Sequence, residues 1–184
     1  MIKIKIVILG HIPYSIDKNK ILKWKSNLFE ILKPINSVTI NGNSDGKSWE
    51  FTDDNIEKQL PLRDEADILL AVTNIPLQSN YFVRRFSDNR VCMTFDTIVE
   101  ILIKKNIPLE NLILRTLYSN SLVYIRFGNR IPLMSENIKF THDETRGCIF
   151  DMNGSKTNIV YSLNGLKICD LCVKSLKSIS DCKN

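Results

Sequence analysis

The chain has 184 residues, of which 43% are hydrophobic and 24% charged, with only 7 Gly and 6 Pro; this composition excludes a disordered, collagenous or low-complexity chain. A formal charge of +5 is mildly basic, which lies within the range of ordinary proteins and gives only slight preference to nucleic acid or acidic partners. There is no apolar run of 18 residues, so no membrane-spanning helix is expected.

Ile2–Leu9 (IKIKIVIL) predicts a buried first strand. It leads straight to His11 and Pro13 without a small-residue cleavage site, so an export signal is not expected and a cytoplasmic location is. Asp17 is placed to cap a helix in which Ile21, Trp24, Leu28 and Leu32 recur at helical spacing until Pro34. Ser37–Ile40 predicts a short second strand, residues 41–54 a polar loop, and Asn55–Leu60 a helical turn. Ala66–Thr73 (ADILLAVT) has the unbroken apolar character of a strand covered on both faces. Residues 75–89 read as a long connection, and Arg90–Phe95 as another strand. Thr97 and Glu100 form a capping-box pattern for a helix over Ile98–Lys104. Pro108 sits at the first turn of a long helix reaching about Ile125, with Leu109, Leu112, Ile113, Leu117 and Tyr118 on its apolar face. Alternating strands and helices predict an α/β fold with a mixed, mostly parallel sheet flanked by helices. After Gly128 the periodicity stops. The expected organisation is an α/β core over 1–130 and a loop-rich, zinc-binding C-terminal segment over 131–184 packed on it.

That last segment carries the chemistry. Cys169-Asp-Leu-Cys172 is a CxxC pair, Cys148 precedes it by 21 positions, and His142 lies six residues earlier. In a reducing compartment such clustering favours a metal over disulfides. A CxxC turn offers two thiolates side by side, which tetrahedral zinc accepts, and ligands from an earlier loop complete the shell. Metal would also hold residues 146–167, which contain few apolar side chains, in one conformation. One structural Zn2+ is therefore expected on Cys148, Cys169, Cys172 and a fourth ligand. His142 has the best spacing, with Asp143 and Cys182 as the alternatives. A redox CxxC is the competing reading, although that motif normally opens a helix early in a thioredoxin-like unit. Cys92, within an apolar strand, reads as inert core.

Three stretches resemble the archaemetzincins, zinc-dependent peptidases of the metzincin type: the strand IKIVILG followed by an amphipathic helix, ADILLAVTNIPL with the strand RVCMTF, and the block from His142 to Cys172. In that family the third catalytic histidine is followed at once by a Cys, four residues later by another, and then by a CxxC; the four Cys hold a structural zinc. His142 falls at that histidine, Asp143 replaces the first Cys, Cys148 matches the second, and Cys169 and Cys172 match the CxxC. The resemblance therefore implies that His142 joins the structural site. The departure lies in the catalytic half. The peptidases need HExxH on a helix, whereas this chain has 2 histidines, His11 and His142. The middle of the long helix reads Leu-Tyr-Ser-Asn-Ser-Leu over 117–122. The resemblance then implies a non-catalytic binding or regulatory module, or an accessory subunit, working with a protein partner.

Two other readings stand beside it. His142, Asp143, Glu144 and Arg146 could form a relocated hydrolase or nuclease metal site, against which the same residues fit zinc ligation and a solvated loop. Arg84, Arg85 and Arg90 with Tyr81, Phe82 and Phe86 mix basic and aromatic residues as single-strand nucleic-acid surfaces do, against a surface connection whose aromatics tuck into the core. His11 follows the first strand, where α/β sites often lie. No P-loop or GxGxxG occurs.

Overall fold

A computed structural model describes residues 1–136 and 141–177. Five strands form one sheet: β1 (Ile2–Leu9), β2 (Phe29–Val38), β3 (Ile68–Thr73), β4 (Val83–Phe86) and β5 (Arg90–Thr94), in the order β2-β1-β3-β5-β4. The pairs β1·β2, β1·β3 and β3·β5 are parallel, and β4 closes one edge antiparallel to β5. Among the described residues the α-helices are α1 (Lys18–Leu22), α2 (Asp53–Gln59), α3 (Val99–Lys104), α4 (Leu109–Arg126) and α5 (Asp170–Lys177). This is the mixed, mostly parallel α/β architecture that the alternation implies.

Side-chain alternation assigns the central strands β1, β3 and β5 two buried faces. Ile4, Ile6, Ile68, Leu70, Val72, Val91 and Met93 enter the larger core beneath α3 and α4. Their neighbours Val7, Leu9, Leu69, Ala71 and Cys92 pack on the opposite face against Ile56 and Leu60, from α2 and the residue after it. Strands buried on both sides need continuous apolar sequence, which is why β3 and the second half of β1, from Ile6 to Leu9, are so uniformly hydrophobic. Cys92 is fully buried, and burial pushes its thiol well above the ordinary range. It should resist thiol reagents in the native protein and react only on unfolding; rapid native labelling of Cys92, mapped by mass spectrometry, would contradict this placement.

Several expectations need correction. Asp17 does cap a helix, accepting the Lys20 N–H at 2.9 Å, but α1 ends at Leu22. Leu28 precedes and Leu32 lies within strand β2, which begins at Phe29 and extends well before the predicted Ser37. Pro34 is tolerated because β2 is an edge strand, and its register against β1 slips between Lys5 and Val7. The loop expected over 41–54 yields its end to α2: the Thr52 hydroxyl accepts the Asn55 N–H, and Asp53 and Asp54 complement the helix N-terminus. The connection at 75–89 contains β4, joined to β5 by Ser87-Asp88-Asn89, with Asp88 and Asn89 at positive φ. Finally, Thr97 has φ +60 and caps nothing; its Oγ1 accepts the Lys156 ammonium at 2.9 Å, and α3 begins at Val99. Pro108 stands one position before α4, at its N-cap.

The C-terminal segment shares the larger core. Ile149, Phe150, Ile159 and Leu163 are buried with Leu112 and Ile113 of α4. Polar clips reinforce that contact: Arg115 Nε donates to Ser162 Oγ at 2.8 Å, its Nη2 donates to the Asp151 carbonyl at 3.1 Å, and Asn111 Nδ2 donates to the Leu163 carbonyl at 3.3 Å. Among the described residues, no helix is long and apolar enough to cross a membrane.

Candidate metal centre

Two isolated β-bridges assemble the site. One pairs His142 with Asp151, where the Met152 N–H donates to the His142 carbonyl at 3.0 Å. The other pairs Cys148 with Lys167, where the Ile149 N–H donates to the Lys167 carbonyl at 3.0 Å. They draw three separated stretches of chain to one point. Gly147 makes the second approach possible: it has φ +69, and a Cβ there would lie 2.8 Å from the Tyr161 carbonyl oxygen. Cys169 then immediately precedes α5, and Cys172 lies in its first turn.

The result is a cluster of His142, Cys148, Cys169 and Cys172 whose ligand atoms all lie within 4.8 Å of one another. Cys148 and Cys172 are buried, while His142 and Cys169 are half-buried. His142 Nε2 is 3.5 Å from Cys169 Sγ. Its Nδ1 lies 2.9 Å from the Glu144 carbonyl, which can only accept, so Nδ1 donates there and the lone pair of Nε2 faces the thiols. Asp143 is adjacent in sequence but does not join the cluster. Cys182 falls outside the described residues.

Backbone and cationic groups favour thiolate in this pocket. Cys148 Sγ accepts the N–H of Cys169 at 3.3 Å and that of Phe150 at 3.5 Å. Burial alone would raise the Cys169 thiol, but hydrogen bonds from the Cys172 backbone, from Arg146 and from the Cys172 and Cys148 side chains outweigh it and bring Cys169 down to about 6. Cys172 moves the other way, because burial raises its thiol and its proton is shared with Cys169. A metal would displace that proton.

Asp151 is the organiser that spacing did not reveal. Its carboxylate is inaccessible to solvent; Oδ2 accepts the N–H groups of Arg146 and Cys148, each at 3.0 Å, and Oδ1 lies 3.3 Å from His142 Nδ1. It therefore shapes the Cys148 turn and stands behind the imidazole, as outer-shell carboxylates do around ligating histidines. Asp151→Asn should weaken metal affinity by about 10- to 100-fold. Competition against a chromophoric chelator measures it, and unchanged affinity would remove Asp151 from this role.

The remaining candidates lie elsewhere. Glu144 is largely exposed and paired with Arg146. Arg84 is buried and ion-paired with Asp53, and Arg90 pairs with Glu57 at 2.9 Å. Phe86 is buried, while Tyr81 is exposed with the Arg84 guanidinium over its ring. His11 is exposed and outside the cluster. The CxxC does open a helix, a feature shared with redox pairs, but Lys167 before it makes only an isolated bridge, and Cys148 and His142 stand beside it. Comparison with protein-family models, curated proteins and solved structures gives no significant match.

Proposed function

We propose that this centre holds one structural zinc ion, and that the chain is a non-catalytic, metzincin-like binding or regulatory module working with a protein partner. The observation that carries the metal reading is the convergence of three thiols and one correctly presented imidazole nitrogen within 4.8 Å. Three sulfurs and one nitrogen are a donor set suited to zinc, and in tetrahedral coordination at about 2.3 Å the sulfurs would stand roughly 3.8 Å apart, within reach of small side-chain adjustments. Four protein donors leave no open position for substrate, which makes the role structural.

The non-catalytic reading is supported by where the imidazoles are. The chain has 2 histidines, and His142 belongs to the cluster. On α4, the positions Ser119, Asn120 and Ser121 offer neither imidazole nor carboxylate, and Ser121 is fully buried. The metal-loaded chain should hydrolyse no peptide substrates and take up no second, exchangeable metal. A second metal that switches on hydrolysis would overturn this reading in favour of a relocated hydrolase.

Acid should release the metal. A thiol that is lowered from 9.0 to about 6 on folding stabilises the folded site fully above its unfolded value, and that contribution is lost as pH falls through about 6. Bound metal extends the thiolate range downward until protons compete. Metal retention should therefore hold above about pH 6 and fall on acidification below it; release that instead increases with rising pH would contradict thiolate ligation.

A further inference from the structure

Two adjoining cavities, of about 480 and 200 Å3, share Trp24 and Leu166 and form one trough beside α4. Its walls come from Trp24 and Leu28 between α1 and β2, from Tyr118 and Leu122 of α4, and from Leu166 and Ile168 just before α5. No charged residue lines either cavity, and no lining residue lies in a strand.

The apolar wall reaches solvent at two places, Trp24 at 38% and Leu166 at 37% exposure. The indole is nevertheless fixed. Its Nε1–H donates to the Tyr118 hydroxyl at 3.1 Å, and the Tyr118 ring is braced edge-on by Phe29. An aromatic side chain already held in a concave apolar wall has little freedom left to lose, which is what an interface anchor requires.

The charge around the trough is of one dominant sign. Residues 18–25 carry Lys18, Lys20, Lys23 and Lys25 and no acid. Lys23 and Lys25 flank Trp24, are exposed, and form no ion pair among the described residues. Arg126, one helical turn past Leu122 on the same face of α4, forms none either. Neighbouring acids are engaged within the fold: Asp17 caps α1, and Glu110 accepts the Asp17 N–H and pairs with Lys20. Asp170, two residues past Ile168, is exposed, and the balance stays positive.

Shape and charge together select the occupant. An extended peptide needs a free sheet edge, which this trough does not offer, whereas a helix lays an apolar stripe into a groove of side chains. A bilayer takes up an apolar face that projects into it, and this one is concave. We infer that the trough docks an acidic amphipathic helix of a protein partner, its apolar stripe against Trp24, Leu122 and Leu166 and its carboxylates toward Lys23 and Lys25. This rests on the reading of the chain as a module with a protein partner, and it names the surface and the chemistry of that partner.

A fluorescein-labelled synthetic peptide about four turns long, with Leu at i, i+3, i+4 and i+7 and Glu elsewhere, would be titrated into the full chain as purified. Anisotropy reads the affinity, and Trp24 emission in a Trp49→Phe background reads the place. Binding should saturate, shift Trp24 emission to the blue, and weaken about tenfold or more when Lys replaces Glu in the peptide. Leu166→Asp should abolish it. If that variant fails to fold, the exposed pair Lys23→Glu and Lys25→Glu carries the test and should weaken binding about tenfold. Equal binding of the Glu and Lys peptides, unchanged affinity in the folded lysine variant, tighter binding to phosphatidylserine vesicles than to the peptide, or a chain already self-associated through Trp24 would each overturn the inference. The same samples separate it from the readings above. Binding together with peptide cleavage, or binding by a metal-free chain, supports the trough and removes the non-catalytic or the zinc reading; one metal per chain without binding removes the trough alone.

Discussion

Removing the metal with a chelator is expected to unfold the ligand-bearing turns, residues 141–148 and 166–177, while the five-stranded sheet stays folded. The division follows from what holds each part. The sheet is fixed by apolar contacts on both faces. The turns around His142 and Cys148 rest on isolated bridges, and α5 spans only 8 residues, too short to persist without tertiary support. Structural zinc contributes about 10–16 kcal/mol in isolated finger peptides. Here part of the segment is independently anchored by Ile149, Phe150, Ile159 and Leu163, so the loss should be local. Hydrogen exchange read by mass spectrometry should show protection collapsing in those two stretches and persisting in β1, β3 and β5. Unchanged protection around Cys148 and Cys169 would mean that packing alone maintains the turns.

Phe29→Ala is expected to cost about 3–5 kcal/mol of global stability, the usual range for emptying a large aromatic site. Phe29 is 1% exposed at the first position of β2, and its ring meets Tyr118 of α4 edge-on, with centroids 5.0 Å apart and planes at 67°. The ring thus ties an edge strand to the long helix across the larger core, and edge-to-face pairs add about 0.5–1.5 kcal/mol beyond burial. Urea unfolding measures the change. A loss below about 1 kcal/mol would show Phe29 solvated, contrary to a strand at this position.

The same residue shows where sequence reading fails. Ile21, Trp24, Leu28 and Leu32 satisfy helical spacing, yet the helix stops at Leu22 and Phe29 and Ile35 turn inward from a strand. Short apolar recurrences fit either period, and pairing with β1 decides between them. β4 was hidden for a different reason: Arg84 is buried because Asp53, 31 residues earlier, neutralises it, and that partner has no local signature. β1, β3 and the long helix were legible because continuous apolar runs and a sustained 3.6-residue face leave few alternatives. The convergence of His142, Cys148, Cys169 and Cys172 was legible because CxxC with an upstream Cys and His is a chemical pattern carried by residue type and spacing. Asp151 was not, since a buried carboxylate that organises a ligand turn looks in sequence like any surface acid. Nor did spacing indicate that Arg115, within an otherwise apolar helix face, would reach across to Ser162 and Asp151.

X-ray absorption at the zinc edge on the purified chain tests the central claim most directly. Three sulfurs at about 2.3 Å and one nitrogen at about 2.0–2.1 Å, at one zinc per chain, are the predicted shell. Four sulfurs, a coordinated solvent oxygen, or a metal-free protein with Cys169 and Cys172 joined in a disulfide would contradict it.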